Sequence, residues 1–479
     1  MQGIRQNWFA QLLLLSMSIT VCAGAAQPAE VDAGAALAGA ALAGAALAEA
    51  PDAAESRRLA LEVRREFLHA WRSYERYAWG HDELQPLSMQ ARDWYGPSLL
   101  MTPVDSLDSL IILGLKDEAR RTRELIGTRL SFDQDIYVKN FEITIRLLGG
   151  LLSGYQMSGD ARLLALARDL GTRLLPVFKS PTGLPYEYVN LRTGKVRGTE
   201  TNPAETGSLL LEFGTLSRLT GEAVFYDMAK RALIETYRRR SAIGLVGDSI
   251  DVESGRWTKT DSHISGDIDS YYEYLWKCWK LFGDKDCLDM WNESIAAIQK
   301  YLPQEVGGEL WYGHADMNTG QRTSSEFGAL DAFFPALLAF ADRMQPARRL
   351  QESSFKMWNV QGIEPESFDY RSGEIKDARY PLRPEIIESA YYLYRLSGDA
   401  HYRAMGKSMW LDFVKYCRTP EGYAALESVV TKKQKDSMQS FLFAETFKYF
   451  YLLFSPPSAL DFDAIVFNTE AHPLRRLRR

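Results

Sequence analysis

One kind of turn recurs along this chain and limits its fold more than any other feature of the sequence. Five times an apolar stretch with helical periodicity ends at a glycine, and a second helix-like stretch begins at or near an acidic residue. A glycine readily adopts the left-handed conformation that ends a helix, and an acidic side chain caps the next helix. The pattern therefore predicts a series of helical hairpins. The turns lie at Gly114–Asp117, Gly159–Asp160, Gly221–Glu222, Gly283–Asp284 and Gly398–Asp399, with a weaker one near Asp342.

The spacing of these turns predicts the number of hairpins. The acidic residues of successive turns are 43 to 62 residues apart. Dividing the chain by that period gives about seven helical pairs, in an all-α protein. The last pair would combine a terminal apolar helix, Phe441–Phe454, with the first helix, Ser56–Trp79. Such an array forms either an open solenoid or a closed ring.

Each helical pair has acidic residues near the start of its first helix, and the position of these residues in space would distinguish a ring from a solenoid. In a ring these helix ends meet around one axis, so their carboxylates would converge on one cavity. The alternative is that each acid only stabilises a helix dipole, by about 0.3–1 kcal/mol. The residues concerned are Asp105, Asp108, Glu142, Glu205, Asp269, Asp331 or Glu326, Glu385, Glu388 and Glu445.

Three of these acidic sites have neighbours that suggest chemistry. Glu142 and Arg146 are four residues apart on one helix face, and Arg383 precedes Glu385 by two residues. Asp269 is followed by an aromatic run that ends at Tyr274. Carboxylates beside arginines and aromatic rings are the groups that hydrolyse glycosidic bonds, where one carboxyl protonates the leaving oxygen and another activates water.

Composition excludes several other functions. Six His and four Cys residues form no CxxC, HExxH or zinc-like cluster, and there is no GxSxG, P-loop or dinucleotide motif. The formal net charge of −6 argues against a nucleic-acid partner. Carboxylates therefore remain the abundant reactive groups.

The N-terminal region predicts export of the protein. Residues 1–25 combine a basic start, an apolar stretch and small residues, as in a cleavable signal peptide. A lipid anchor at Cys22 is the alternative. Residues 26–55 form an Ala/Gly/Leu-rich linker, too rich in glycine for a stable membrane span, and residues 56–479 form one catalytic domain. Among Cys278, Cys287 and Cys417 one disulfide and one free thiol are expected, with the pairing open.

Six ordered motifs between Trp79 and Leu474 resemble glycoside hydrolase family 47, the class I α-1,2-mannosidases. The likeness is greatest to the mannosidase-like proteins of endoplasmic-reticulum-associated degradation, the EDEM group. This family folds as an (α/α)7 barrel, which agrees with the hairpin count. The motifs are Gly80–Leu84, Phe141–Leu152, Asp269–Leu275, Pro381–Glu385, Ser440–Glu445 and Phe467–His472.

The resemblance implies a role for individual residues. Glu142 matches the general acid, which acts through a water, Glu385 the general base, and Asp269 a third catalytic carboxylate that is an alternative acid or an electrostatic stabiliser. Thr469 matches the direct protein ligand of a Ca²⁺ ion, an oxygen-only site that suits a hard cation. Residues that match the substrate pocket, some holding waters of the ion, are Arg146, Arg383, Glu388, Phe441, Glu445 and Glu470.

Two hypotheses of function follow from the resemblance. The first is a secreted, calcium-dependent, inverting exo-α-1,2-mannosidase acting on an α-1,2-mannosyl oligosaccharide or a mannosylated glycoprotein. The second is an EDEM-like lectin that recognises mannose glycans with little turnover, and a toroid glycosidase with another substrate is a third. Asp267 stands where enzymes that trim endoplasmic-reticulum glycans often have Arg, so their branch preference cannot be transferred.

The signal peptide and the lack of a C-terminal retention tetrapeptide predict a secreted or periplasmic protein, and indicate a bacterial member of the family. In a eukaryotic secretory pathway, the alternative, Asn292–Ser294 would be a glycosylation acceptor.

Overall fold

Residues 51–476 are described by the structure, a computed structural model, and they fold mainly into helices. The predicted signal peptide, the linker up to residue 50 and residues 477–479 lie outside this range. The α-helices, in chain order, are α1 (Pro51–Tyr77), α2 (Met101–Ile112), α3 (Lys116–Arg129), α4 (Asn140–Ile143), α5 (Gly149–Ser158), α6 (Ala161–Leu174), α7 (Pro203–Gly207), α8 (Leu210–Thr220), α9 (Ala223–Arg238), α10 (Asp269–Phe282), α11 (Lys285–Tyr301), α12 (Phe334–Phe340), α13 (Met344–Gln361), α14 (Glu385–Ser397), α15 (Ala400–Cys417) and α16 (Phe447–Phe454).

Short π-helical and 3₁₀ segments lie before, between or after some of these α-helices. Two π-helical turns join or precede α-helices in the barrel interior, Thr144–Leu148 between α4 and α5 and Leu442–Thr446 before α16. The 3₁₀ segments are Leu175–Lys179, Leu330–Phe333 before α12, Pro457–Ala459 and Phe462–Ala464.

The predicted hairpin turns are present, and most are built as expected. Gly159 and Gly283 end their helices in the left-handed conformation, with φ values of 73° and 68°. The side chains of Asp160, Asp284 and Asp399 then accept hydrogen bonds from the first backbone N–H groups of the following helices. The predicted acidic cap was wrong at Glu222, whose carboxylate is bound by Arg168, and at Asp117, which lies inside the first turn of α3 instead of capping it.

Within the described residues the helices form two concentric rings of seven. The inner ring consists of α2, α4–α5, α7–α8, α10, α12, α14 and α16, and the outer ring of α1, α3, α6, α9, α11, α13 and α15. The first and last helices meet in both rings: Lys448 of α16 is 2.8 Å from Asp108 of α2, and Trp410 of α15 donates to Glu62 of α1 at 3.1 Å. The barrel is therefore closed, which confirms the (α/α)7 fold, and the solenoid is excluded.

Short antiparallel strands occupy the connections between an outer helix and the next inner helix, and one further pair of strands follows α16. They pair in small sheets ordered β1-β2, β3-β4-β5, β6-β7-β8, β13-β12-β9, β10-β11, β14-β15-β16, β17-β18, β19-β20 and β21-β22. Their bounds are β1 Glu83–Gln85, β2 Gln90–Arg92, β3 Tyr137–Lys139, β4 Tyr188–Asn190, β5 Val196–Arg197, β6 Glu200–Thr201, β7 Ser249–Asp251, β8 Trp257–Lys259, β9 Asp261–Ser262, β10 Pro303–Val306, β11 Glu309–Tyr312, β12 His314–Asp316, β13 Arg322–Ser324, β14 Glu326–Gly328, β15 Ser367–Asp369, β16 Ile375–Asp377, β17 Arg418–Thr419, β18 Gly422–Tyr423, β19 Ala425–Ser428, β20 Lys433–Lys435, β21 Ile465–Phe467 and β22 Pro473–Arg475.

The C-terminal hairpin β21–β22 enters the interior of the barrel and contacts most of the inner helices. The turn residue Asn468 donates to the carbonyl of Ile145 at 2.9 Å and to Glu212 at 2.7 Å. A β-carbon at Gly149 would lie 2.7 Å from the Asn468 side chain, so glycine is needed for this close approach. The hairpin thereby closes the base of the barrel.

The structure also decides the cysteine pairing that the sequence left open. Cys278 of α10 and Cys287 of α11 form a disulfide across the turn between these helices, with their Cα atoms 6.0 Å apart. Cys417 is a buried free thiol. Over residues 51–476 no helix is both long enough and apolar enough to cross a bilayer.

Candidate functional site

The residues that the sequence singled out for chemistry lie around one cavity of about 590 Å³ in the barrel. All ten of the predicted catalytic, substrate and metal residues line it, although they come from regions of the chain more than 300 residues apart. They are Glu142, Arg146, Asp269, Arg383, Glu385, Glu388, Phe441, Glu445, Thr469 and Glu470. The ring closure therefore produces the convergence of carboxylates that distinguishes a ring from a solenoid.

Of the acids expected at the inner helix ends, Asp105 and Asp108 do not line this cavity, and of the two alternatives Asp331 and Glu326 it is Glu326 that lines it. Asp105 and Asp108 are completely buried and bind His472, whose ring nitrogens lie 3.0 and 2.6 Å from their carboxylates. Burial raises the pKa of Asp108, but the charges of Lys448 and His472 outweigh it and hold that pKa at about 2. These two acids therefore anchor the C-terminal hairpin beneath the site.

Glu142 and Arg146 form the ion pair that their spacing predicts. Glu142 lies in α4 and Arg146 in the π-helical turn that follows, and Arg146 Nε donates to Glu142 at 2.9 Å. The same guanidinium also binds Glu470 and lies 5.7 Å from the centre of the Phe441 ring. π-helical turns are rare and are often found at functional sites. The π-helical turn that contains Arg146 is therefore consistent with a functional requirement on where this side chain lies.

Glu385 is held at the first residue of α14 by an unusual backbone. The preceding Leu382 has a φ of 71°, a conformation that is costly for a residue with a large side chain, and its carbonyl accepts a hydrogen bond from Thr446 at 2.8 Å. Arg383 lies 3.8 Å from Glu385 and is itself bound by Glu366. One carboxylate oxygen of Glu385 is buried and has no hydrogen-bond partner in the described part of the chain.

Burial and neighbouring charges set the protonation of two cavity carboxyls. Desolvation raises the pKa of Glu385 to about 7, with Glu366 adding to the rise and Arg383 opposing it. Desolvation likewise raises the pKa of Asp269 to about 8, although the backbone N–H of Ser270 donates to its carboxylate at 2.7 Å. Of these two carboxyls, Glu385 therefore ionises at the lower pH.

The base of the cavity offers oxygen ligands to a cation. Thr469, at the tip of the β21–β22 hairpin, lines the cavity together with Glu388, Glu445 and Glu470. Burial and repulsion from neighbouring carboxylates raise the pKa of Glu445 and of Glu470 well above the usual range. A bound cation would relieve this repulsion, and a set of oxygen donors without nitrogen or sulfur suits a hard ion such as Ca²⁺.

Several lining residues were not among the predicted site residues. Glu366, from the loop before β15, binds Arg383, and Glu273, one helical turn after Asp269, binds Lys277. His263 and His314 also reach the cavity from short strands or loops. Glu366, His263 and His314 lie in short strands or irregular connections whose sequence contains no motif or period. Glu273 alone had a usable signal, because it lies within the Asp269–Leu275 motif on the helix face of Asp269.

A closed (α/α)7 barrel with a carboxylate-lined cavity beside arginines and aromatic rings is the architecture and chemistry of a glycoside hydrolase. Residues 66–476 match the sequence model of glycosyl hydrolase family 47. This chain belongs to that family, as its motifs predicted.

Known relatives agree with this assignment. The chain is 39% identical to Alpha-mannosidase I MNS4 of Arabidopsis thaliana over 88% of its own length and 70% of that protein. It is 36% identical to the human ER degradation-enhancing alpha-mannosidase-like protein 2, over 89% and 78% respectively. The solved structure of alpha-1,2-mannosidase from Trichoderma reesei aligns with a TM-score of 0.81 at 26% identity, covering 88% of this chain and 99% of that one. The resemblance to the family is thus confirmed, with similar proteins both among the α-mannosidases and in the EDEM group, and a bacterial origin stays a prediction.

Proposed function

We propose that this protein is an exported, calcium-dependent exo-α-1,2-mannosidase that hydrolyses terminal α-1,2-linked mannose with inversion of configuration. The observation that carries the proposal is the convergence of Glu142, Asp269, Glu385 and Thr469 on one cavity. The C-terminal hairpin closes the base of this cavity, which suits an enzyme that takes a chain end. Mannosyl oligosaccharides and mannosylated glycoproteins are the proposed substrates, since several relatives are named as mannosidases.

Each carboxylate has a chemical part in the proposed reaction. Glu385, with one free oxygen toward which a water can be oriented, removes a proton from the attacking water. Glu142, paired with Arg146, delivers a proton to the leaving oxygen through a water, and protonated Asp269 is a second proton donor in the cavity. Inversion requires room for the attacking water between acid and base, on the opposite face of the sugar.

Thr469, with waters held by Glu388, Glu445 and Glu470, would hold the calcium ion. When bound, calcium would orient sugar hydroxyls and balance the negative charge of these acids. Arg146 and Arg383 keep the neighbouring carboxylates in position and supply positive charge to the cavity wall.

Release of mannose from α-1,2-mannobiose tests the proposal. The purified protein is expected to release mannose with Ca²⁺ present, and to lose this activity in a chelator and regain it when Ca²⁺ is added back. NMR of the first product formed should show the inverted anomer. If no mannose is released under any metal condition, the enzyme hypothesis is wrong and the mannose-binding lectin, which retains the pocket and the EDEM likeness, becomes the better account.

The pH dependence of kcat/KM should report the two perturbed carboxyls. Since a base must be ionised, activity should rise with pH through about 7, the pKa of Glu385. It should fall above about 8, where Asp269 loses its proton. Asp269→Asn should remove the alkaline limb from the residual activity and leave the acidic limb in place. An alkaline limb that persists unchanged in this variant would show that Asp269 is not the group whose loss of a proton limits activity, and would leave the acid role to Glu142 alone.

A further inference from the structure

Two histidines and an aspartate meet on the strands beside the cavity, apart from the residues assigned to catalysis. Asp261 lies in β9, His263 directly follows that strand, and His314 begins β12. The strands pair with Ala315 opposite Ser262, so His314 lies across from His263, and their ring centres are 4.4 Å apart. One potential ligand atom from each of the three residues lies within 4.8 Å of the other two.

One nitrogen of this cluster lacks the partner that a buried polar atom needs. His263 is only 5% exposed, and its Nδ1 has no hydrogen-bond partner among residues 51–476. Leaving such an atom unpaired costs about 1–3 kcal/mol. Its other nitrogen, Nε2, lies 3.5 Å from Asp248. An arrangement of one carboxylate beside a histidine is the usual way in which a metal-binding imidazole is oriented.

His314 contacts the carboxylate of the cluster itself, and a metal ion bound by both would replace this contact. Its Nδ1 lies 2.6 Å from a carboxylate oxygen of Asp261, whose other oxygen accepts a hydrogen bond from Thr323. The short strands on both sides therefore fix the cluster in place, and both imidazoles line the substrate cavity. Two imidazoles and a carboxylate are ligands for zinc and related transition metals, whereas calcium prefers oxygen alone.

We propose that Asp261, His263 and His314 bind a Zn²⁺ ion at a site separate from the oxygen-lined site around Thr469. Three protein ligands leave a coordination position for water or for a hydroxyl group of a bound glycan. The ion would also join β9 to β12 and so stiffen this wall of the cavity. In the competing interpretation, the histidines only form hydrogen-bonded pairs with Asp261 and Asp248.

Zinc titration of the untagged full-length protein distinguishes these interpretations. In isothermal titration calorimetry with millimolar Ca²⁺ present, the wild type should bind one equivalent of Zn²⁺. His263→Gln and His314→Gln should each weaken this binding by more than about 100-fold, beyond the 10- to 100-fold loss typical for an outer ligand. His401→Gln is the matched control, because His401 is exposed and pairs with Glu352 on the outer surface; its zinc affinity should equal that of the wild type.

Absence of zinc binding by the wild type, or equal binding by the His263→Gln variant, would overturn the proposal. If circular dichroism shows that the histidine variants do not fold, two further measurements test the zinc site. Asp261→Asn should weaken zinc binding, and Co²⁺ added to the wild type should produce the intense visible absorption of a four-coordinate site, displaced by Zn²⁺. A Co²⁺ spectrum identical to that of the free ion counts against the site. Because none of these readouts uses hydrolysis, they fail or succeed independently of the proposed mannosidase activity.

Discussion

Glu385→Gln is expected to lower kcat for α-1,2-mannobiose by about 10²- to 10⁴-fold, the usual contribution of a general base. Glutamine has nearly the shape of glutamate but cannot accept a proton at neutral pH. The buried oxygen of Glu385 that lacks a partner is where the attacking water would be held, so the loss should fall on kcat. Single-turnover rates of mannose release provide the measurement.

Binding separates a lost base from a damaged pocket. Calorimetry with mannobiose should show that Glu385→Gln retains a dissociation constant within a few-fold of the wild type. Glu352→Gln, at an exposed glutamate paired with His401, is the control and should leave kcat unchanged. Normal turnover by Glu385→Gln would refute the base assignment, and binding without turnover in the wild type would favour the lectin.

Lys448→Met is expected to destabilise the protein by about 3–5 kcal/mol, the cost of removing one partner from a buried ion pair. Lys448 and Asp108 are both completely buried and lie 2.8 Å apart, and the same ammonium donates to the carbonyl of Ala471 at 2.6 Å. Without Lys448, the charged partner left to the Asp108 carboxylate among residues 51–476 is His472. The free energy of unfolding in urea should report this loss.

Lys407→Met provides the matched control for that measurement. Lys407 pairs with Glu55 across the closure of the outer ring, but both side chains are about two-fifths exposed. Because exposed ion pairs contribute little to stability, this variant should unfold almost like the wild type. Equal losses for Lys448→Met and Lys407→Met would show that the buried network is not what holds the C-terminal hairpin.

Much of the fold could be predicted because its signals are local. The glycines that end helices at 159, 221, 283 and 398 adopt left-handed conformations that depend on one residue, so the hairpin count follows from the sequence. The first helix begins at Pro51 rather than at the predicted Ser56, an ordinary displacement of a helix boundary. The two π-helical turns had no sequence signal, because an α-helix and a π-turn have the same apolar pattern over five residues.

The acidic residues show the limit of reasoning from spacing. Asp105 and Glu142 have similar positions at the start of inner helices, yet Asp105 is buried against His472 and Glu142 faces the cavity. The difference arises from β21–β22, which brings His472 against α2 across more than 360 residues of sequence. Helical periodicity contains no information about such a contact.

By itself the sequence determined the number of hairpins, the family and the identity of the residues that carry the proposed chemistry, because turn preferences and motifs are properties of short segments. Only the tertiary structure decided that Cys278 pairs with Cys287 and which acids reach the cavity, and it confirmed the ring closure that the family resemblance implied. It also brought His263 and His314 together from separate strands. These outcomes depend on contacts between distant segments, which form only when the inner helices pack around the C-terminal hairpin.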